Sequence, residues 1–132
     1  IAPREFVALS NLERLYRADG RVAEADALQS RVDRHRLANP YFRYRQGQLA
    51  FAAGDYPVAI GHLREAIRRK PDDDRFYALL GLACLRSGDP GAARRYLARA
   101  AELAADESAR QAYHSKLELL RRGQEPTAVR GS

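Results

Sequence analysis

Three histidines, one cysteine and a run of aspartates have the strongest claim to chemistry in this 132-residue chain. His35, His62 and His114 lie far apart, and none stands in a His-Glu-x-x-His or comparable spacing. No metal-ligand set is therefore expected. Cys84 is the lone cysteine, set in a stretch rich in Ala and Leu. It excludes an intrachain disulfide framework and reads as a small buried hydrophobe, not a nucleophile. Asp72-Asp73-Asp74 invites a calcium reading, but no loop of alternating oxygen donors with a Gly and a late Glu follows it. Those aspartates are better suited to capping a helix that starts near Arg75. No glycine-rich phosphate loop is present, so no cofactor and no catalytic residue is expected.

Arginine is the remaining chemical resource. It supplies 21 of 23 basic residues against 17 acidic ones, for a net charge of +6. A nucleic-acid reading would rest on Arg64, Arg68, Arg69, Arg94, Arg95 and Arg99. The excess is spread along the chain, however, and no long block of like charge occurs, which argues against a phosphate-binding footprint. The dominance of Arg over Lys fits a GC-rich, bacterial coding sequence. Ile1 opens the chain and Met is absent, as expected of a segment taken from a longer protein. No signal peptide is visible in it, and no compartment can be assigned.

The elements that must carry these side chains are helical. Ala and Leu contribute 40 residues, whereas Val, Ile and Thr together contribute 9. At 45% hydrophobic and 30% charged, the composition is that of a folded domain. No apolar run approaches the roughly 18 residues of a membrane span. Gly20, Gly54 and Gly88 recur at a constant interval of 34 residues, as do Ala25, Ala59 and Ala93, and Val32, Ala66 and Ala100. Each copy reads as helix, tight turn, helix. Asn39-Pro40 opens the second copy, Gly54 ends its first helix, Asp55 caps its second, and Lys70-Pro71 closes it. In the third copy Asp73 or Asp74, Gly88 and Asp89-Pro90 do the same work. Copy one has Arg21 where an aspartate cap would serve better.

This interval, with its glycine, alanine and late Pro71, resembles the tetratricopeptide repeat. The resemblance covers residues 6–122 in copies 6–39, 40–73 and 74–107, followed by a capping helix over 108–122 and an unstructured tail over 123–132. It implies an all-α, right-handed α-solenoid of three helix-turn-helix repeats. Gly47, Gly81, Ala59 and Ala93 are expected where paired helices approach closely. Leu63, Tyr77, Leu80 and Leu97 are expected to fill the space between copies. The capping helix would pack through Ala109, Tyr113, Leu117 and Leu120. It fits the preceding register only with a shift, which predicts a longer turn around Ala104–Ser108.

The resemblance also implies a binding face. In such arrays the first helix of each copy lines a groove that takes a peptide or partner segment. The matching positions are Asn11, Arg14 and Arg17 in copy one, and Tyr41, Tyr44, Arg45, Gln48 and Phe51 in copy two. Copy three contributes Arg75, Leu79, Leu82 and Arg86. Tyr41, Tyr44, Phe51, Leu79 and Leu82 would form an exposed apolar strip, and the arginines would surround it with forked donors for carboxylates. The implied partner is a protein or peptide with acidic and apolar residues. Ser10, Arg14 and Leu79 occupy three positions where chaperone adaptors place a clamp for a terminal carboxylate, so that narrower role is not supported. Three alternatives stand beside this reading: an accessory helical domain of a larger enzyme whose catalytic domain lies outside this chain, the nucleic-acid surface, and self-association through an exposed terminal repeat.

Overall fold

Gly20, Gly54 and Gly88 adopt φ values of 78°, 80° and 88°, a left-handed conformation that ends a helix at little cost only when no Cβ is present. The equal spacing of these three residues thus becomes an equal spacing of turns. The computed structural model describes residues 3–123, which form seven α-helices and, among the described residues, no strand. They are α1 (Pro3–Ala18), α2 (Val22–Ala38), α3 (Pro40–Ala52), α4 (Tyr56–Arg69), α5 (Asp74–Arg86), α6 (Pro90–Leu103) and α7 (Glu107–Arg121). The chain separates into two compact units, Ile1–Asn39 and Pro40–Ser132.

The first unit is the α1–α2 hairpin, closed over Ala25, Leu28 and Val32. Its second helix begins at Arg21 without a side-chain cap bond. In the second unit α4, α6 and α7 are each capped by an aspartate. Asp55 accepts from Val58 N at 3.4 Å, Asp89 from Ala92 N at 3.0 Å and Asp106 from Ala109 N at 2.7 Å. Asp73 caps α5 through Arg75 N at 3.0 Å, which resolves the choice between Asp73 and Asp74.

The helices of each pair touch where the sequence places small residues. A Cβ on Gly47 would lie 2.9 Å from Leu63 Cγ, and one on Gly81 would lie 3.2 Å from the Ala93 carbonyl oxygen. Leu63, Leu80 and Leu97 are fully buried, each contributing about 1.5–3 kcal/mol, and Leu63 and Leu97 lie against Gly47 and Gly81 within their own pairs, not only between copies as expected. Tyr77 is only half-buried; its hydroxyl donates to the Pro71 carbonyl at 3.0 Å. Helix α5 is buried almost all round, with Phe76 and every residue from Ala78 to Cys84 sealed from solvent. It is the interior helix of the second unit.

Helix α7 packs through Ala109, Tyr113 and Leu120, with Leu117 partly buried. It starts one residue earlier than expected, and the turn before it is shorter, not longer, than its counterpart. Only residues 104–106 separate α6 from α7, whereas residues 70–73 separate α4 from α5. The physical reason is that Asp106 caps the helix directly, which brings Tyr113 into the core. There its hydroxyl donates to Asp74 Oδ2 at 2.6 Å, tying α7 to the start of α5. Gly123 ends α7 with φ 77°. The rest of the expected tail, 124–132, lies outside the described residues.

Candidate functional site

Within the second unit, α3 and α5, the first helices of its two hairpins, bring aromatic and arginine side chains together. The Arg75 guanidinium of α5 lies 5.6 Å from the centre of the Tyr44 ring of α3. Farther along the same two helices, Arg86 lies 5.9 Å from the ring of Phe51. Phe76 stacks against Tyr44 at 5.0 Å and meets Tyr41 edge-on at 6.0 Å. These contacts place Tyr41, Tyr44, Phe51, Arg75 and Arg86 on one α3–α5 seam. Such cation–π pairs orient a guanidinium without consuming its hydrogen-bond donors.

The seam differs from the expected apolar strip in depth. Tyr44 is 6% exposed, Leu79 0% and Leu82 1%, so all three belong to the core. They join the cluster that contains Phe76, Tyr113 and Leu120, because the interior position of α5 leaves its leucines no open side. Tyr41 remains 49% exposed and Phe51 is half-buried, so the accessible apolar surface is smaller than the sequence implied. Burial raises the Tyr44 phenol above its ordinary pKa, although Arg75 and Gln48 partly oppose the shift. The Tyr44 hydroxyl is sealed from solvent and makes no well-formed hydrogen bond.

The arginines also divide. Arg75 gives Nε and Nη2 to the Asp73 carboxylate at 3.1 and 2.8 Å, which holds its pKa far above the ordinary range. Its fork is already filled, so it acts as an oriented cation and not as a vacant carboxylate clamp. Arg45 is exposed and forms no ion pair with a described residue. Arg86 is exposed over Phe51, and Gln48 on α3 is half-buried.

In the first unit, Asn11, Arg14 and Arg17 are all exposed on α1. Arg14 donates to Asn11 Oδ1 at 2.6 Å, and Arg17 bridges Glu13 at 2.7 Å and Asp26 at 3.0 Å. Both arginines are thus engaged within their own hairpin, Arg14 inside α1 and Arg17 both inside α1 and across to α2.

The other chemical candidates behave as packing or surface groups. Cys84 is 4% exposed and its thiol is pushed up by burial, the reverse of an activated nucleophile. His62 Nδ1 lies 3.3 Å from Arg43 Nη1, and His35 packs on Phe6 at 5.2 Å. Among the described residues no group of His, Cys, Asp and Glu is arranged to hold a metal ion, and no helix is long and apolar enough to cross a membrane. Of the arginines in the nucleic-acid reading, Arg68 and Arg69 share Glu65, and Arg99 pairs with Glu102.

Paired helices with aspartate caps, glycine stops and a repeated small-residue contact define a class of helical-repeat scaffold. The chain belongs to the tetratricopeptide repeat family: the model of that repeat matches residues 44–113, over half of its length, and a second matches residues 8–28. No curated protein sequence matches it significantly. Solved structures share the all-α repeat fold. The type III secretion translocator chaperone SycD of Yersinia enterocolitica is 20% identical, with a TM-score of 0.68 over 93% of this chain and 88% of that one. The first tetratricopeptide domain of Spaghetti (RPAP3), bound to an HSP90 peptide, is 15% identical, with a TM-score of 0.63 over 93% and 95%. The Sgt2 tetratricopeptide domain of Aspergillus fumigatus is 20% identical, with a TM-score of 0.56 over 97% and 89%.

Proposed function

We propose that the chain is a non-catalytic protein-interaction module whose α3–α5 face holds a partner segment carrying carboxylates and apolar side chains. The observation that carries this reading is the pairing of Arg75 with Tyr44 and of Arg86 with Phe51 across the two helices. It builds a firm seam of aromatic and arginine side chains beside exposed Tyr41 and Arg45. Aromatic and arginine anchors are the residue types that dominate interface energies. Membership of a repeat family whose domains generally act as interaction scaffolds supports the coarse part of this reading. The peptide bound by the Spaghetti domain, SRMEEVD, is itself rich in carboxylates beside Met and Val.

Arg45 is the residue on which specificity rests, since Arg75 is neutralised by Asp73 before any partner arrives. A partner carboxylate at Arg45 gains a charge-assisted bond, while an apolar neighbour covers Tyr41. The direct test is affinity capture with the full chain, repeated with Arg45→Glu and Tyr41→Ala. Both positions are exposed, so both variants should keep native helix content. Loss of the captured partner is the expected result. Equal capture by wild type and both folded variants would refute the assignment.

A further inference from the structure

The second helices of the two hairpins in the second unit satisfy most of their arginines and leave three without a partner. Arg68 and Arg69 of α4 share Glu65, and Arg99 of α6 pairs with Glu102. Arg64 of α4 and Arg94 and Arg95 of α6 are exposed, and none forms an ion pair or hydrogen bond with a described residue. These three are nevertheless gathered at one end of α6. Arg95 Nη1 and Arg94 Nη2 lie 3.8 and 3.9 Å from a single point, the place where a Cβ on Gly91 would stand. Gly91 has no such atom, so the space beside both guanidiniums is open. Asp89 Oδ1 lies 3.6 Å from the same point and is held by Ala92 N as the helix cap. Arg64 approaches from α4. Burial raises the Cys84 thiol, and the charges of Arg64 and Arg95 both oppose that rise, from the two helices packed on either flank of α5.

Folding gains nothing from this grouping. Like charges held together repel, and cations beside the first turn of a helix oppose its dipole. Three guanidiniums against the one Asp89 carboxylate leave two positive charges uncompensated. A phosphate monoester carries close to two negative charges at neutral pH and three terminal oxygens, which forked guanidiniums bind in pairs. A carboxylate would meet only half of that charge. A phosphodiester strand needs cations continued along its path, but the next arginines, Arg68 on α4 and Arg99 on α6, are held by Glu65 and Glu102. We propose that Arg64, Arg94 and Arg95 form a phosphate-monoester site on α4 and α6, separate from the α3–α5 seam. Its ligand is a free phosphorylated compound or a phosphorylated side chain of a partner protein, which present the same dianionic group.

The test is NMR titration of the full chain in low-salt chloride buffer, following the amides of Gly91, Arg94 and Arg95. The probes are inorganic phosphate, a short capped peptide with one phosphoserine, the same peptide with Glu or Ser in its place, and oligothymidylate. The phosphopeptide should shift these amides and bind about tenfold or more tightly than the Glu peptide, while the Ser peptide leaves them unmoved. Arg64→Gln, Arg94→Gln and Arg95→Gln should each keep native helical circular dichroism, since all three positions are exposed. Each should weaken the phosphopeptide about tenfold, the loss of a charge-assisted bond, whereas Arg68→Gln should not. Inorganic phosphate binding as well as the phosphopeptide assigns the site to a free phosphorylated compound, and a preference for the phosphopeptide assigns it to a partner. No shift with either phosphate probe, equal binding of the Glu peptide, tighter binding of oligothymidylate, or an affinity indifferent to the three substitutions would overturn the proposal.

Discussion

Arg75 lies over the face of Tyr44 at 5.6 Å while two of its nitrogens are gripped by the Asp73 carboxylate. One arginine thus joins the cap of α5 to the wall of α3, and Tyr44 beneath it becomes a core residue with a polar tip. Replacing Tyr44 by Ala should cost about 3–5 kcal/mol, the range for emptying an aromatic site. Tyr44→Phe should stay within about 1 kcal/mol of wild type, because the hydroxyl makes no well-formed bond to lose. Urea denaturation of the two variants measures both.

The same burial makes stability depend on alkaline pH. The folded phenol has a raised pKa, so the folded chain keeps the Tyr44 proton where the unfolded chain releases it. The unfolded state then binds fewer protons, and stability falls as pH rises. The contribution is intact below the unfolded tyrosine value of about 10 and is lost progressively above it. Stability compared between wild type and Tyr44→Phe from neutral to strongly alkaline pH should show wild type losing ground only on the alkaline side.

The glycines of the helix interiors should separate by their surroundings. A Cβ on Gly47 meets buried Leu63 at 2.9 Å, whereas one on Gly61 meets nothing within 4 Å. Gly61→Ala should stabilise by about 0.5–1 kcal/mol through helix propensity. Gly47→Ala gains the same propensity but must displace Leu63, and overpacking of about 1–3 kcal/mol should leave it destabilised. Thermal melts of the two variants should move in opposite directions.

Helix caps offer a quieter check. Asp106 Oδ1 accepts from Ala109 N at 2.7 Å and fixes the short turn that places Tyr113 against Asp74. Asp106→Ala should cost about 1 kcal/mol, and Asp106→Asn much less. Equal losses would mean that charge at the helix terminus, not the capping bond, carries the effect.

The repeat was legible because its signals are local. Glycine stops, aspartate caps and small residues at the helix contacts act within a turn or across one hairpin, so their spacing carries over directly to the fold. The depth of the binding face was not legible. Whether Leu79 and Leu82 lie on a surface depends on neighbours far along the chain, and the interior position of α5 buried them. Nor could a position in a repeat show that Arg75, Arg14 and Arg17 already have partners. Those are side-chain choices, Asp73 for Arg75 and Glu13 with Asp26 for Arg17, made in three dimensions. The turn before α7 departs from the repeat for a related reason: Asp106 sets its length locally, independent of the register of the earlier copies.

The most direct measurement of the central claim is amide-resolved NMR titration of the full chain with a synthetic peptide of alternating Glu and Leu. A matched peptide with Gln in place of Glu serves as control. The account predicts that shifts concentrate at Tyr41, Arg45, Gln48 and Arg86, weaken as salt is added, and fade with Arg45→Glu or with the Gln peptide. Shifts confined to the outer faces of α4 and α6, or identical for both peptides, would contradict it.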